Sequence, residues 1–351
     1  MHEQTTLNFF MSALTPNGFK DKFHTLEKLN SLYLLKGPAG SGKSTFIKKV
    51  SKLKNESKEH IHCSLDVNSL DALILNQSKT AVLDATPPHT FEPKMAGAFE
   101  RVVSLYDFFD NIKLNSKKSE IERLCNLKSF YISRAQSFIS AAGMLISSSE
   151  SLSMRSVNRE KLVNFISRLC LREIKKKKEF EPNEKVRYLS TLNKDGIFMF
   201  TDTATKLASK IYIVEDEIFG ISSLIMMAVR KAALNAGYSI YTCLCPMSKT
   251  DKIDHIFIPQ LSLGFMTSNK FHPILINNAK KIHTKRFKLD NADMYKMRSG
   301  FQLKAAKQLL LEAGENLSTA LETHKNLENI YISSADFSSI ENYTQSFLYS
   351  L

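Results

Sequence analysis

Apolar and polar positions follow two rhythms along the chain, and the pair of rhythms occurs twice. In the first hundred residues the apolar positions come as short runs, Leu32-Tyr33-Leu34-Leu35, His60 to Leu65, Leu73 to Leu75 and Thr80 to Leu83. Runs of this length, bounded by polar or turn-forming residues, predict buried β-strands. Residues 1–30 lead in with Pro16-Asn17-Gly18 as a turn and predict a short β-element. A helix is predicted from Lys43 to about Lys54, and strands interleaved with helices argue for a mainly parallel sheet with helical cover. From Ala96 the spacing becomes helical. Ile121, Leu124, Leu127, Tyr131, Ala135, Phe138, Ala142 and Leu145 recur every three or four residues and form one apolar face. Ser147 to Ser153 reads as a polar break, and a further helix carries Leu162, Ile166 and Leu169 toward the lysine block Lys175 to Lys178.

The second half repeats this plan. Ser12 to Phe19 is echoed by Ser190 to Ile197 at an offset of 178, Leu32 to Leu35 by Ile211 to Val214 at 179, and Asp71 to Leu75 by Asp254 to Ile258 at 183. Offsets that grow by small steps describe a duplicated unit with loop insertions. After a lead-in over 185–210, strands are predicted at 211–214, Tyr238 to Leu244, Ile256 to Ile258 and Leu263 to Thr267, and a helix over 222–235 closed by Gly237. Leu303, Ala306, Leu310, Ala313, Leu317 and Leu321 then form a second helical stripe. The serine-rich end of the chain predicts no element. The expectation is α/β: two tandem three-layer αβα domains with mainly parallel sheets, each followed by a helical region. They span 1–178 and 179–351, with a linker near Lys178 to Asn183.

Composition changes the picture little. With 351 residues, 43% hydrophobic and 24% charged, the chain has room for two cores and reads as a soluble globular protein. No apolar run approaches the roughly 20 residues of a membrane span. Met1-His2-Glu3-Gln4 lacks a signal-peptide pattern, so a cytoplasmic location is expected. Five cysteines suggest no disulfide framework, and Cys243 with Cys245 is the only close pair, without a zinc-like partner cluster. The net charge of +13 permits contact with nucleic acid but is spread along the chain, and the lysine block reads as a solvated charge run.

One stretch carries chemistry. Gly37-Pro38-Ala39-Gly40-Ser41-Gly42-Lys43-Ser44, followed by Thr45, is an instance of G-x-x-x-x-G-K-[ST], the phosphate-binding P-loop or Walker A motif, placed after a strand and before a helix. Glycines let successive N–H groups turn toward phosphate oxygens, and the helix start adds positive potential. Lys43 then meets the outer phosphates and Ser44 offers a magnesium ligand. Asp84, after the apolar run Thr80 to Leu83, is the expected partner for magnesium, with Asp66 as competitor. No glutamate follows Asp84, so His89 and Glu92 are the candidates for a base or a positioner of water. In the second half Asp216 stands for Gly37, Phe219 for Gly40, Ile221 for Gly42, Ser222 for Lys43, Ser223 for Ser44 and Thr267 for Asp84. Glu215, Asp216 and Glu217 stand where phosphate would approach, which describes a loop that has lost its chemistry.

With the Ser12 to Phe19 lead-in, the P-loop, Asp84-Ala85-Thr86-Pro87-Pro88-His89 and Lys252-Ile253-Asp254-His255-Ile256 in view, the whole chain resembles a little-characterised family of bacterial ATPase-like proteins with two P-loop domains in tandem. The resemblance implies the P-loop NTPase fold, ATP with Mg2+, and roles for Lys43, Ser44 and Asp84. It departs from the family at the second loop, to which no functional residue is carried over. The expected function is ATP binding with Mg-dependent hydrolysis at one site in the first half. The alternatives are a small-molecule or nucleotide kinase, or a non-catalytic nucleotide-gated module that signals to a protein partner. Lys249, Lys252, Lys280, Lys281 and Arg286 are the candidates for a basic residue given by the second half to that site.

Overall fold

The computed structural model describes residues 5–176, 181–216, 220–289 and 296–350. The first half of the chain begins with strands β1 (Thr6–Phe9), β2 (Ser12–Thr15), β3 (Gly18–Asp21) and β4 (Ser31–Lys36), then helix α1 (Lys43–Leu53). Strands β5 (Lys58–His62), β6 (Leu70–Leu75), β7 (Thr80–Asp84) and β8 (Glu100–Ser104) follow, and helices α2 (Asn111–Ser116), α3 (Lys118–Met154) and α4 (Arg159–Glu173) end it. The second half opens with β9 (Glu184–Arg187), β10 (Ser190–Asn193), β11 (Gly196–Met199), α5 (Thr201–Leu207), β12 (Lys210–Glu215) and α6 (Ile221–Asn235). It continues with β13 (Ile240–Leu244), β14 (Ile253–Ile258), β15 (Leu263–Ser268) and β16 (Lys280–His283), and closes with α7 (Lys296–Ile332) and α8 (Phe337–Ser350).

These elements form two compact units. Unit 1 comprises the described residues of Met1–Phe9, Phe23–Ala135 and Glu315–Leu351, and unit 2 those of Phe10–Lys22 and Gln136–Gly314. The unit 1 sheet has the order β1-β5-β6-β7-β4-β8. Its β4 lies parallel to both β7 and β8, β1 is parallel to β5, and β6 is antiparallel to both its neighbours. Leu32 and Leu34 of β4 are buried as fully as Leu35, which is why the strand reads as an unbroken apolar run. On one face Tyr33 and Leu35 pack with Phe46, Ile47 and Val50 of α1, Val82 of β7, Val103 of β8 and Phe347 of α8. The Phe347 ring lies 5.0 Å from Phe46 and 5.1 Å from Tyr33.

Unit 2 repeats the arrangement, with the sheet order β16-β12-β15-β14-β13-β9 and β12 parallel to both β15 and β16. Helix α6 packs on β14 and β13, and α4 packs on α6. The hairpins β2–β3 and β10–β11 also belong here, tied by Phe10 and Tyr188, whose backbones exchange two hydrogen bonds of 2.8 Å. The α/β class and the duplicated plan thus agree with the sequence. The compact units differ from the contiguous halves 1–178 and 179–351. Helix α3 starts in unit 1 and ends in unit 2, α7 does the reverse, and α4 and α8 follow them. The two halves exchange their terminal helices, which the sequence does not reveal because an apolar stripe marks a buried helix face without stating which sheet buries it.

Smaller differences have local causes. Glu100–Ser104, expected in a helical region, is edge strand β8, whose charged Glu100 and Arg101 hide the alternation. The serines from 147 to 153 do not break α3, since Ser149 and Ser153 are small enough to be buried within it. The serine-rich end forms α8, which packs through Phe347 and is capped by Asp336 accepting from Ser338 and Ser339. Of the expected linker, residues 178–180 lie outside the described residues, as does part of the lysine block. Among the described residues no helix is long and apolar enough to cross a membrane.

Candidate functional site

In unit 1 the chain leaves β4 at Lys36, turns through Gly37 to Gly42 and enters α1. Gly40 and Gly42 have φ of 71° and 82°, left-handed conformations that L side chains resist. Gly37 is required for space, since a Cβ there would stand 2.7 Å from Ser41 Oγ and 3.1 Å from Leu105 Cβ. The helix start carries no side-chain cap, so its first-turn N–H groups keep their positive edge exposed to an incoming anion. Ser41 Oγ is buried in the turn with no hydrogen-bond partner. Pro38 and Ala39 are half-buried on the turn, and Thr45 is exposed on the first turn of α1.

The Lys43 side chain folds back over this turn. Its Nζ donates to the carbonyls of Gly37 and Pro38, both at 2.9 Å, and lies 3.7 Å from Asp84 Oδ2. Asp84 ends β7, in register with Leu35 of the adjacent parallel β4, and the N–H of Ala85 donates to Leu35 O at 3.0 Å. Its other oxygen, Oδ1, accepts from the Thr86 N–H and hydroxyl at 3.0 and 2.6 Å. Burial lowers the pKa of Lys43, opposed by Asp84 and Glu328, and burial raises that of Asp84 against the pull of Lys43. Both shifts move the pair toward neutrality, because burial penalises each charge more than their mutual attraction offsets.

Ser44 Oγ accepts from the Leu70 N–H at 2.9 Å and keeps a second lone pair for another ligand. Asp71, at the start of β6, holds His89 Nε2 at 2.9 Å, both side chains being buried, while Phe23 packs edge-on against the His89 ring. The expected base His89 is therefore tied to a carboxylate. Glu92 is on the surface, paired with Lys36 at 2.6 Å. Asp66 caps the turn before β6, accepting from Asn68 N–H at 3.1 Å, and has no contact with Lys43 or Ser44 among its hydrogen bonds and ion pairs.

Two features escape a reading of the P-loop alone. Asp71 acts on both Lys43 and Asp84, and Glu328 of α7 acts on Lys43. The C-terminal part of α7 lies against the turn. A Cβ on Gly40 would meet Glu328 O at 2.9 Å and Ile332 Cγ1 at 3.0 Å. The signal for Glu328 was present as an echo: Glu150 precedes it by 178, the separation of the starts of α3 and α7 at Lys118 and Lys296.

In unit 2 the same strand-turn-helix is closed by its own carboxylate. Asp216 Oδ2 accepts from the N–H groups of Gly220 and Ser222 at 2.9 and 3.0 Å, where an anion would sit on α6. Residues 217–219, including Glu217 and Phe219, lie outside the described residues. Ser222 and Ser223 stand in the first turn of α6 and Thr267 in β15, with no lysine at the position of Lys43. Lys252 instead is buried near Asp216 and Asp254, with its Nζ 3.4 Å from Glu150. Burial opposes its charge, and the surrounding carboxylates outweigh burial and raise its pKa. A Cβ on Gly220 would meet Met154 Sδ at 2.9 Å and Glu150 Cγ at 3.2 Å. Beside this cluster lies a cavity of about 40 Å³, lined by Glu150, Cys245, Lys249, Lys252, Asp254 and His272 among others.

Of the other basic candidates in unit 2, Lys249 lines the cavity and three have local partners. Lys281 pairs with Glu215 at 2.8 Å, Lys280 lies over the Tyr212 ring, and Arg286 stacks on Phe165 and Phe287. Among the described residues no group of three or more His, Cys, Asp or Glu side chains could hold a metal, and Cys243 and Cys245 are free thiols. Compared with protein-family models, with curated proteins and with solved structures, the chain finds no match.

Proposed function

We propose that unit 1 binds ATP and hydrolyses it, and that unit 2 keeps the P-loop plan without a nucleotide site. The observation that carries this reading is the position of Lys43 beside Asp84, across two adjacent parallel strands, at an uncapped helix start. A triphosphate entering the turn would present oxygens to the Lys43 ammonium and the loop N–H groups, so that Lys43 exchanges the Gly37 and Pro38 carbonyls for phosphate oxygens. The orphaned Ser41 hydroxyl offers one further donor inside the turn.

Ser44 Oγ and Asp84 Oδ2 are hard oxygen donors that fit Mg2+, which when bound neutralises charge developing between the β- and γ-phosphates. Two protein oxygens suffice, because Mg2+ retains waters and takes phosphate oxygens as its other ligands. The resemblance to tandem P-loop ATPase-like proteins supports the same assignment. In the test, Mg-ATP is titrated into wild type and Lys43→Ala in a calorimeter. Loss of about 100-fold or more in affinity is expected, equivalent to about 2.7 kcal/mol. Equal affinity in the two proteins contradicts the assignment. ADP release without added acceptor supports hydrolysis, and release that depends on an acceptor selects the kinase.

A further inference from the structure

We infer that Glu328, carried to unit 1 on α7, is the carboxylate that takes the proton from the water attacking the γ-phosphate. The inference rests on the nucleotide reading above and names the group which that reading leaves open. Hydrolysis requires a base or an orienting group for water, and Asp84 is followed by Ala85 rather than by a glutamate. The other candidates are committed: His89 Nε2 to Asp71, Glu92 to Lys36, and Asp66 to its turn.

Helix α7 is seated on the phosphate turn itself. Its backbone at Glu328 and its Ile332 side chain come so close that Gly40 has no room for a Cβ. Such contact fixes the distance between Glu328 and the loop more firmly than a surface side chain would be fixed. The repeat gives a second, independent observation. Glu150 holds the equivalent place on α3 against the unit 2 turn, 3.2 Å from the position of a Cβ on Gly220, and pairs with Lys252. In both units the covering helix therefore brings a glutamate to the loop, and only in unit 1 does that loop carry its own lysine.

The surroundings of Glu328 suit a proton acceptor. It is half-buried, and burial together with Asp66 raises its pKa, against Lys43 and Lys128 from two other helices and Lys325 from its own. His324, one turn earlier, places Nε2 3.6 Å from Glu328 Oε1, and its burial holds its pKa down to about 4, so it faces the carboxylate uncharged at neutral pH. In the step, the water oxygen bonds to the γ-phosphorus as the bond from that phosphorus to the bridging oxygen breaks. The electron pair leaves on ADP, and the water proton passes to Glu328.

The test compares wild type, Glu328→Gln and Glu328→Asp for Mg-ATP affinity by calorimetry and for ADP release across pH, with thermal unfolding as a check on folding. Glu328→Gln should bind Mg-ATP within about threefold of wild type and release ADP about 100-fold more slowly or worse, the range of general-base loss. Glu328→Asp should recover part of the rate. The acidic limb of the wild-type pH profile should vanish in Glu328→Gln, which a structural role would not produce. Unchanged release in Glu328→Gln overturns the inference, and faster release overturns it and makes the glutamate a gate against phosphate. A wild type that binds Mg-ATP without turning it over also overturns it. A wild type that binds no nucleotide removes the functional reading beneath it, a result distinguishable because it appears in the titration.

Discussion

The turn after β4 and the turn after β12 are built on the same plan and treat negative charge in opposite ways. After β4 the helix start is uncapped, a lysine waits within 3.7 Å of an aspartate, and a buried hydroxyl lacks a partner. After β12 the carboxylate of Asp216 fills the helix start, and the lysine, Lys252, comes from the segment before β14 and is locked among carboxylates. The strand-turn-helix plan thus persists where one side chain supplies an anion to the helix start internally. The difference lies in what faces the helix start: uncapped N–H groups after β4, and a carboxylate of the chain itself after β12.

The largest effects should come from the two lysines. Lys252→Ala leaves Asp216, Glu150 and Asp254 near one another without their buried cation. It should cost about 3–5 kcal/mol in chemical denaturation, the range for breaking a buried ion pair. Lys43→Ala should cost clearly less stability while removing ATP binding, and the reverse ranking would break the comparison. Asp216→Ala, which strips the Gly220 and Ser222 N–H groups of their acceptor, should destabilise by about 1–2 kcal/mol, a typical cap loss.

Protonation gives a separate readout. His255 is buried in unit 2 and burial holds its pKa down to about 4. A neutral buried imidazole contributes its full stability above about pH 6.5 and loses it as the pH falls toward 4, a change of order 3 kcal/mol. Denaturation midpoints should therefore decline over that window, and His255→Gln should flatten the decline. A profile as steep in His255→Gln as in wild type would reject the cause. The smallest effect separates two glycines of the intact turn. Both have positive φ, but a Cβ meets backbone only at Gly40. Gly42→Ala should cost about 1–2 kcal/mol for its conformation alone, and Gly40→Ala should cost more because α7 must also give way.

How far the sequence was legible follows from the range of each signal. The β4–turn–α1 segment is local: its strand, glycines and lysine lie within fourteen residues, Ser31 to Ser44, and the fold places them as expected. Asp84 was legible because it ends an apolar run that had to lie in the sheet. The edge strands β8 and β16 were not, since β8 buries the charged Glu100 and exposes Arg101 and Val102, and β16 exposes Lys280, Lys281 and His283. The exchange of α3–α4 with α7–α8 was illegible for a deeper reason. Periodicity fixes the face of a helix, but the choice between two similar sheets depends on contacts hundreds of residues apart in sequence. Glu328 was illegible for that reason, although its echo at Glu150 lies at the 178-residue separation of α3 and α7.

The central claim is that one of two related turns binds nucleotide. Its most direct test is the number of ATP molecules bound per chain in the presence of magnesium, measured on wild type and on Lys43→Ala. One in wild type and none in Lys43→Ala is the predicted result. Two in wild type, or one retained in Lys43→Ala, would contradict it.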